Sequence, residues 1–210
     1  MKRRLLFFTI GLFILTMGVA LIIKSGLGAS AWDALAVGES NMFGITVGTA
    51  VFINGIVLIV LNALIMKKKP DVLAAGSILI IGMLIDFWLL VVFNNFAPEV
   101  LFNQLLALAS GILTMGLGIA IYLQAKFPAS PMDTLMVAIN TRFGLNLRNS
   151  RIISEGFALS LAFLFRGDIG IGTILVTLLL GFVVQYSFPL FEQLFERKSF
   201  AKQAVVSKEV

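Results

Sequence analysis

The chain has 210 residues, of which 59% are apolar and 13% are charged, with a mean hydropathy of +1.02 and a net charge of +5. A soluble domain of this length could not cover so apolar a surface, so the composition predicts an all-α protein solvated by lipid. Cysteine and histidine do not occur in the sequence, which excludes disulfides, thiol nucleophiles, imidazole proton relays and the usual haem and zinc sites. We therefore expect no cofactor and no bound metal.

Six stretches are long and apolar enough to cross a hydrocarbon core, which takes about 20 residues of helix. In chain order they are 5–23, 46–66, 72–93, 101–123, 150–165 and 169–188. The fifth is the shortest and carries Glu155. The first resembles a signal peptide, but its apolar run exceeds the usual length of about 7 to 15 residues, so we expect a retained span. Pro70, Pro98 and Pro189 are predicted to mark helix ends.

The chain aligns with itself at an offset of one hundred residues, without a gap, over 11–44 and 111–144. The aligned stretches share Ala-Ser-x-x-Asp-x-Leu-x-Val, at 29–37 and again at 129–137. This repeat indicates a duplication, with a first membrane repeat at 1–98 and a second at 99–188. Duplicated membrane proteins are often built around a central site.

Basic residues decide the predicted topology. If 31–43 and 131–143 do not cross the membrane, every lysine and arginine except Lys24 and Arg166 falls on one side. The positive-inside rule makes that side cytoplasmic, with both termini inside. Three crossings in each copy then predict six transmembrane helices as two inverted three-helix repeats. Each repeat would contain a short, capped helix that is re-entrant or interfacial.

The short elements begin with Ser30-Ala31-Trp32-Asp33 and Ser130-Pro131-Met132-Asp133. Each pattern is typical of an N-cap serine followed three residues later by a carboxylate, and the second adds proline at the first helical position. One interpretation is capping alone, which the spacing explains by itself. The other is that two helix N-termini meet near the midplane and bind an ion or a small polar solute, with Trp32 beside them.

Asp86 lies near the middle of the third predicted span, where an ionised carboxylate costs several kcal/mol unless it is paired or protonated. It is either a functional group or a buried carboxyl satisfied by a neighbouring helix. Matching Gly82 with Gly181 makes Gln185 its counterpart in the second repeat. The candidate binding residues are thus Asp86, Ser30, Asp33, Ser130, Asp133, Gln185 and Trp32.

Residues 189–210 differ from the spans. Phe191, Leu194 and Phe195 recur at helical spacing among charged residues, a pattern that predicts a cytoplasmic amphipathic tail on the membrane surface. The net positive charge lies mainly in the loops that we place in the cytoplasm, so attraction to anionic lipid explains it and no nucleic-acid partner is expected.

The chain resembles the YczE/YyaS/YitT family of bacterial integral membrane proteins. The resemblance is carried by Gly-Leu-Gly-Ala-Ser-Ala-Trp-Asp at 26–33, Phe-Gly-Ile-Thr-Val-Gly at 43–48, Ser-Pro-Met-Asp at 130–133, and Gly172-Thr173 with Gly181. It covers nearly the whole chain apart from the tail and implies a protein of the cytoplasmic membrane. The family supplies no settled activity. The first repeat departs from the second, with Ala31 for Pro131 and Leu73-Ala74 for Gly172-Thr173.

Two classes of function fit the sequence best. The first is a secondary transporter or exporter of a small polar or cationic solute. The ligand expected at its site is a small polar solute or a proton. The second is a non-transporting scaffold or regulatory partner of another membrane protein. We do not expect an enzyme, because without histidine or cysteine a general base would be a lone carboxylate. A homodimer remains open.

Overall fold

The computed structural model of the chain describes residues 2–127 and 130–206, with side chains over 3–127 and 130–194. In this range the fold is helical and contains no strand. The helices are α1 (Lys2–Lys24), α2 (Ala31–Phe43), α3 (Val47–Met66), α4 (Val72–Asp86, extended by a π-helical segment at Phe87–Val92), α5 (Leu101–Leu123), α6 (Pro131–Phe143), α7 (Leu147–Leu164) and α8 (Ile171–Val206). The all-α prediction is confirmed.

Among the described residues, five helices are long and apolar enough to cross a membrane: Arg3–Lys24, Val47–Met66, Val72–Val92, Leu101–Leu123 and Ile171–Leu194. They correspond to five of the six predicted spans, so this is a multi-pass membrane protein. The remaining stretch forms α7, a helix of 18 residues that carries Arg148, Arg151 and Glu155. The sixth span and the inverted arrangement stay predictions.

The two short elements form as helices of 13 residues each. At a rise of about 1.5 Å per residue neither reaches across a hydrocarbon core of about 30 Å. Ser30 and Ser130 cap them, each accepting a hydrogen bond from the backbone N–H three residues on. Gly44 and Gly144 end them in the left-handed conformation, at φ 66°, which glycine adopts without steric cost. The predicted caps are confirmed.

The prediction that Pro189 ends the last span is wrong. Helix α8 runs through Pro189 and continues to Val206. A proline inside a helix removes one backbone hydrogen bond, and the rest of the helix ladder can absorb that loss. The predicted amphipathic tail, 189–210, therefore begins as a continuation of α8. Its side chains beyond 194, and residues 207–210 altogether, lie outside the described part of the chain.

The antiparallel pair α1 and α5 forms the centre of the bundle. A Cβ atom added at Gly18 would overlap the backbone nitrogen of Met115, and one added at Gly118 would overlap that of Leu15. These two contacts are repeat counterparts of one another, since 15 and 115 differ by the same offset as 18 and 118. Gly11 with Tyr122 and Gly111 with Ile22 form a second reciprocal pair. The duplicated glycines therefore set the contact between the two copies.

The other helices follow the repeat, except that α4 and α8 pack differently. Helix α2 packs on α7, and its counterpart α6 packs on α3. Helix α4 packs closely on α3, because Gly48 and Gly82 bring the two backbones together. In the second repeat Arg148 stands where Gly48 would be, and α8 packs on α5 without extensive contact with α7. The second repeat is thus more open than the first.

We predict that Gly18→Ala lowers the free energy of unfolding by about 2 kcal/mol, because the new methyl group forces α1 away from the α5 backbone. Gly76→Ala is the matched control, since a Cβ there meets no atom within 4 Å. Helix propensity makes that change neutral or stabilising by up to about 1 kcal/mol. Thermal unfolding of both purified variants measures the difference. Equal effects at the two positions would contradict the role assigned to the α1 and α5 crossing.

Candidate functional site

A cavity of about 670 Å³ lies between the helices, beside the middle of α1 and α5. Leu12, Leu15 and Met115 form its wall at the centre of these two helices. The cavity continues past Phe8 and Tyr122, towards the N-terminal end of α1 and the C-terminal end of α5. A cavity of roughly 300 to 1,000 Å³ is the usual size of a small-molecule site.

The N-termini of α2 and α6 meet at this cavity. Ser30, Trp32 and Asp33 line it from α2, and Ser130 and Asp133 line it from α6. The two elements are about one hundred residues apart in the sequence, and the fold brings them to one site. The starts of α2 and α6 therefore form helix caps and also line a cavity. The sequence had left open which of these two places they occupy. Ala129, in the second copy of the repeat, lies outside the described residues.

The serine hydroxyls hold the two carboxylates. Ser30 donates a hydrogen bond to Asp33 Oδ2, and Ser130 donates one of 3.0 Å to Asp133 Oδ2. Each serine also accepts from the backbone N–H of its aspartate, at 3.4 Å and 3.2 Å. The side chains of both aspartates are therefore fixed at the first turn of their helices, with the Asp133 carboxyl open to the cavity.

Burial changes the acidity of both groups. It raises the pKa of Asp33 to about 6, against the opposing effect of the Ser30 hydrogen bond. Burial also raises the pKa of Asp133, whereas Ser130 and the positive charge of Arg151 act to lower it and Glu155 acts to raise it. Removing water from around a carboxyl group disfavours its ionised form. Both carboxyl groups therefore hold a proton more readily than a fully hydrated aspartate does.

Arg151 and Glu155 also line the cavity, although neither is among the candidate binding residues predicted from the sequence. Arg151 Nε lies 2.8 Å from Glu155 Oε1, and both residues line the cavity from α7 together with Ser154. The signal in the sequence is their spacing, because positions 151, 154 and 155 share one helical face. Val51 and Gly55 are their counterparts in the first repeat, so this charge pair occurs in one half only.

Gln185 and Asp86, matched by the repeat, have different surroundings. Gln185 lines the cavity from α8. Asp86 is not among the cavity residues, and instead accepts hydrogen bonds from Thr46 Oγ1 at 2.6 Å and from the Gly48 N–H at 2.7 Å. It thus binds the first turn of α3. Of the two interpretations of Asp86, this is the one in which a neighbouring helix satisfies the carboxyl group. The sequence analysis lists Asp86 among the candidate binding residues, but in the fold it lies apart from the others, which line the cavity.

No group of three or more Asp and Glu side chains within the described residues is arranged to hold a metal ion. The cavity instead combines two capped aspartates, an ion pair and a large apolar wall. Such a lining combines hydrogen-bonding side chains with an excess of negative charge. It can hold a ligand that is cationic or zwitterionic better than it can hold an anion.

The proteins to which this chain is similar include one that is labelled a membrane protein. A family model described as "Family of unknown function (DUF6198)" matches residues 2–189. The protein YyaS of Bacillus subtilis is 38% identical over 194 residues, covering 92% of this chain and 96% of the relative. The protein YczE of the same organism, labelled an uncharacterized membrane protein, is 33% identical over 186 residues, covering 87% of this chain and 84% of the relative.

An uncharacterized protein of Haemophilus influenzae is 33% identical over 181 residues, covering 83% of this chain and 78% of that protein. No solved structure matches the chain. The resemblance to YczE and YyaS that the sequence motifs indicated is thereby confirmed. The likeness to YitT stays a prediction.

We predict that Asp86→Ala lowers the free energy of unfolding by about 3 kcal/mol, because it leaves the Thr46 hydroxyl and the Gly48 N–H without their acceptor inside the bundle. Asp71→Ala is the control. Asp71 also caps a helix, accepting from the Leu73 and Ala74 N–H groups at an exposed end of α4, where loss of a cap costs about 1 kcal/mol. Thermal unfolding at one pH compares the two variants. A smaller loss for Asp86→Ala than for Asp71→Ala would contradict the assignment.

A second prediction concerns pH. The folded state holds the Asp33 proton up to about pH 6, whereas an unfolded chain releases it near pH 4. The folded state therefore binds more protons in this window, and the contribution of Asp33 to stability falls as pH rises through it. Asp33→Asn, which cannot ionise, should gain melting temperature relative to the wild type between pH 4 and pH 6.5. Asp71→Asn is the control, and a difference from wild type that does not grow with pH would refute the shift.

Proposed function

The chain belongs to the family of unknown function DUF6198, and we propose that it is a secondary transporter of a small polar or cationic solute in the bacterial cytoplasmic membrane. The observation that carries this proposal is the cavity at which the capped helices of both repeats meet. In transporters built from inverted repeats, helix N-termini of this kind face the substrate near the midplane. The proposal includes six spans, with α7 as the sixth, and both termini in the cytoplasm.

The two ends of the cavity support alternating access. Phe8 and Tyr122 line the end beside the start of α1. Their repeat counterparts at the other end are Leu108 and Ile22, which are only 2% and 1% exposed and pack in one apolar cluster. The cavity thus reaches towards the end where α1 begins, and the other end is closed, although the repeat supplies equivalent positions at both. A transporter in a single state of its cycle has this asymmetry.

Backbone contacts hold the closed end. Ala29 N–H donates to the Asp168 carbonyl at 3.0 Å, and Gly172 N–H donates to the Leu27 carbonyl at 2.7 Å. A side chain at Gly28 would meet Gly170, so the two loops touch through glycine. In the alternate state we expect these contacts to break. Such loop contacts are weak enough to exchange, since each hydrogen bond contributes about 1 kcal/mol net.

The corresponding place in the other half is less tightly packed. A smaller cavity of about 210 Å³ lies between the start of α6 and the loop that precedes α4. Lys68, Lys69 and Asp71 line it on one side and Pro131 and Thr134 on the other. Closing this space would bring the start of α6 against the loop that precedes α4. The start of α2 is already held in this way against the loop that precedes α8. The alternate state would then be related to this one by exchange of the two halves.

The absence of natural cysteine allows a direct test of access. We expect Ile119→Cys, in the cavity wall, to react with a membrane-impermeant maleimide from the face where α1 begins. Ala29→Cys lies at the closed end, where the native residue is fully buried, so we expect it to react slowly and only from the opposite face. Leu113→Cys is the control. The native residue is 55% exposed on the outside of α5, away from the cavity, and lipid should shield it from both faces.

Oriented vesicles separate the outcomes. Reaction at 119 and at 29 from opposite faces supports transport, because one site is then reached from both sides in turn. If Ala29→Cys reacts from neither face while Ile119→Cys reacts from one, the closed end does not open. The alternative of a non-transporting scaffold or regulatory partner would then replace the proposal.

A further inference from the structure

The helices around the cavity form an incomplete ring. Starting at α1, each helix packs on the next in the order α4, α3, α6 and α7, and from the other side α1 packs on α5 and α5 on α8. The ring would close between α7 and α8, which both contribute to the cavity lining. Within the described residues these two helices make no extensive contact with each other. Near the loop that joins them, Ala162 of α7 and Val176 of α8 pack in one apolar cluster. Among the described helices, the opening in the ring therefore lies between the parts of α7 and α8 that are farther from this loop.

The residues of α8 agree with an opening at this place. Gly181 lines the cavity, yet a Cβ atom built on it meets nothing within 4 Å. Its counterpart Gly82 is in tight contact with Gly48 of α3. On the next position along α8, Phe182 is 59% exposed. Apolar side chains that are exposed on a spanning helix face the acyl chains of the bilayer. The opening therefore faces lipid.

The lining of the cavity is mainly apolar. Aliphatic side chains, mainly from α1, α4, α5 and α8, are the largest group in it, and Met115, Met132 and Met136 add three flexible thioethers. Trp32 and Tyr122 add aromatic rings. Methionine adapts to ligands of irregular shape, and aromatic faces attract organic cations. A small, strongly hydrated solute would leave most of this wall without a partner.

The charge of the cavity is negative. Asp33, Asp133 and Glu155 line it, and among the residues with described side chains Arg151 is the sole basic one in the lining. Because Arg151 is paired with Glu155 at 2.8 Å, the two capped aspartates are left to attract a cation. The carboxylates lie at the starts of α2 and α6, whereas the opening is beside α8. A ligand that enters from lipid thus passes the Arg151–Glu155 pair of α7 and the apolar side chains of α8 before its charge meets the aspartates.

We propose that the cavity binds an amphipathic organic cation, a molecule with one positive charge on a bulky apolar body, which enters from the bilayer between α7 and α8. This inference rests on the proposed function and names its substrate class. The apolar body occupies the wall formed by α1, α5 and α8, and the cationic centre lies at Asp33 and Asp133. Proton uptake by these aspartates competes with the cation, so binding weakens as the pH falls.

Binding is tested on the full chain in lipid nanodiscs, with three probes. Tetraphenylphosphonium is an amphipathic cation, tetraphenylborate has the same shape with the opposite charge, and tetramethylammonium is a compact cation. Equilibrium dialysis with empty nanodiscs as the blank measures each. We expect tetraphenylphosphonium to bind at least tenfold more tightly than either other probe, and Asp33→Asn with Asp133→Asn to weaken it at least tenfold. Equal binding of the phosphonium and the borate would overturn the inference.

The opening is tested by Gly181→Leu, with Gly156→Leu as the matched control. Both glycines lie inside helices with open space around an added Cβ, but only Gly181 lines the cavity. We expect Gly181→Leu to slow association and dissociation of tetraphenylphosphonium by about tenfold, as a barrier raised by about 1.4 kcal/mol requires. Gly156→Leu should leave both rates unchanged. Unchanged rates in Gly181→Leu would refute entry between α7 and α8.

The outcomes distinguish this inference from the proposed function. Binding of tetramethylammonium but not of tetraphenylphosphonium, with loss in the double aspartate variant, overturns the substrate class and leaves the cavity as a site for small cations. Binding of tetraphenylphosphonium with no reaction at Ala29→Cys from either face supports the substrate class and overturns transport. Failure of both cations to bind overturns the substrate class whatever the labelling result.

Discussion

The close approach of α1 and α5 is the contact on which the rest of the bundle depends. Four glycines make it, two from each copy of the repeat, and each faces backbone or side-chain atoms of the partner helix. Lipid offers an apolar side chain nearly the same environment as another helix does, so spanning helices associate through close packing rather than through exclusion of water. Because Gly18 and Gly118 take equivalent places, the contact between α1 and α5 is reciprocal.

Around this centre the two copies differ because a few residues differ. In the first copy, Gly48 and Gly82 let α4 approach α3, and Asp86 completes the contact by accepting from the first turn of α3. In the second copy, Arg148 and Gln185 stand at the equivalent positions, and neither can reproduce that contact. Helix α8 consequently stands away from α7. The cavity is therefore bounded firmly by the first copy and left open by the second.

The same substitutions change the chemistry of the site. Where the first copy has Val51 and Gly55, the second has Arg151 and Glu155, and their ion pair lies in the cavity near Asp133. At these positions the second copy thus supplies charged side chains to the cavity, and the first supplies the apolar Val51. An amphipathic ligand would match both, and the carboxyl groups at the two helix starts would add a response to pH. Binding, entry and proton uptake would then depend on one small region.

Much of this arrangement is readable in the sequence. The apolar stretches located five spanning helices to within a few residues at most ends, because a length of about 20 apolar residues has few other uses. Ser30 and Ser130 marked the starts of α2 and α6, since capping depends on three neighbouring residues alone. The repeat located the matched glycines and the paired aspartates. These features are local, or are repeated in register, so they do not require knowledge of the fold.

The tertiary structure decided which polar residues share a site. Asp86 and Gln185 occupy matched positions in the sequence, yet α4 turns Asp86 towards α3 and α8 presents Gln185 to the cavity. Arg151 and Glu155 read as an ordinary pair on a helix surface until α6 is seen to place Asp133 beside them. Likewise, Pro189 carries a local signal for a helix end that the surrounding helix overrides. Sequence spacing determines which face of a helix a residue occupies, but what that face meets depends on packing between helices far apart in the chain.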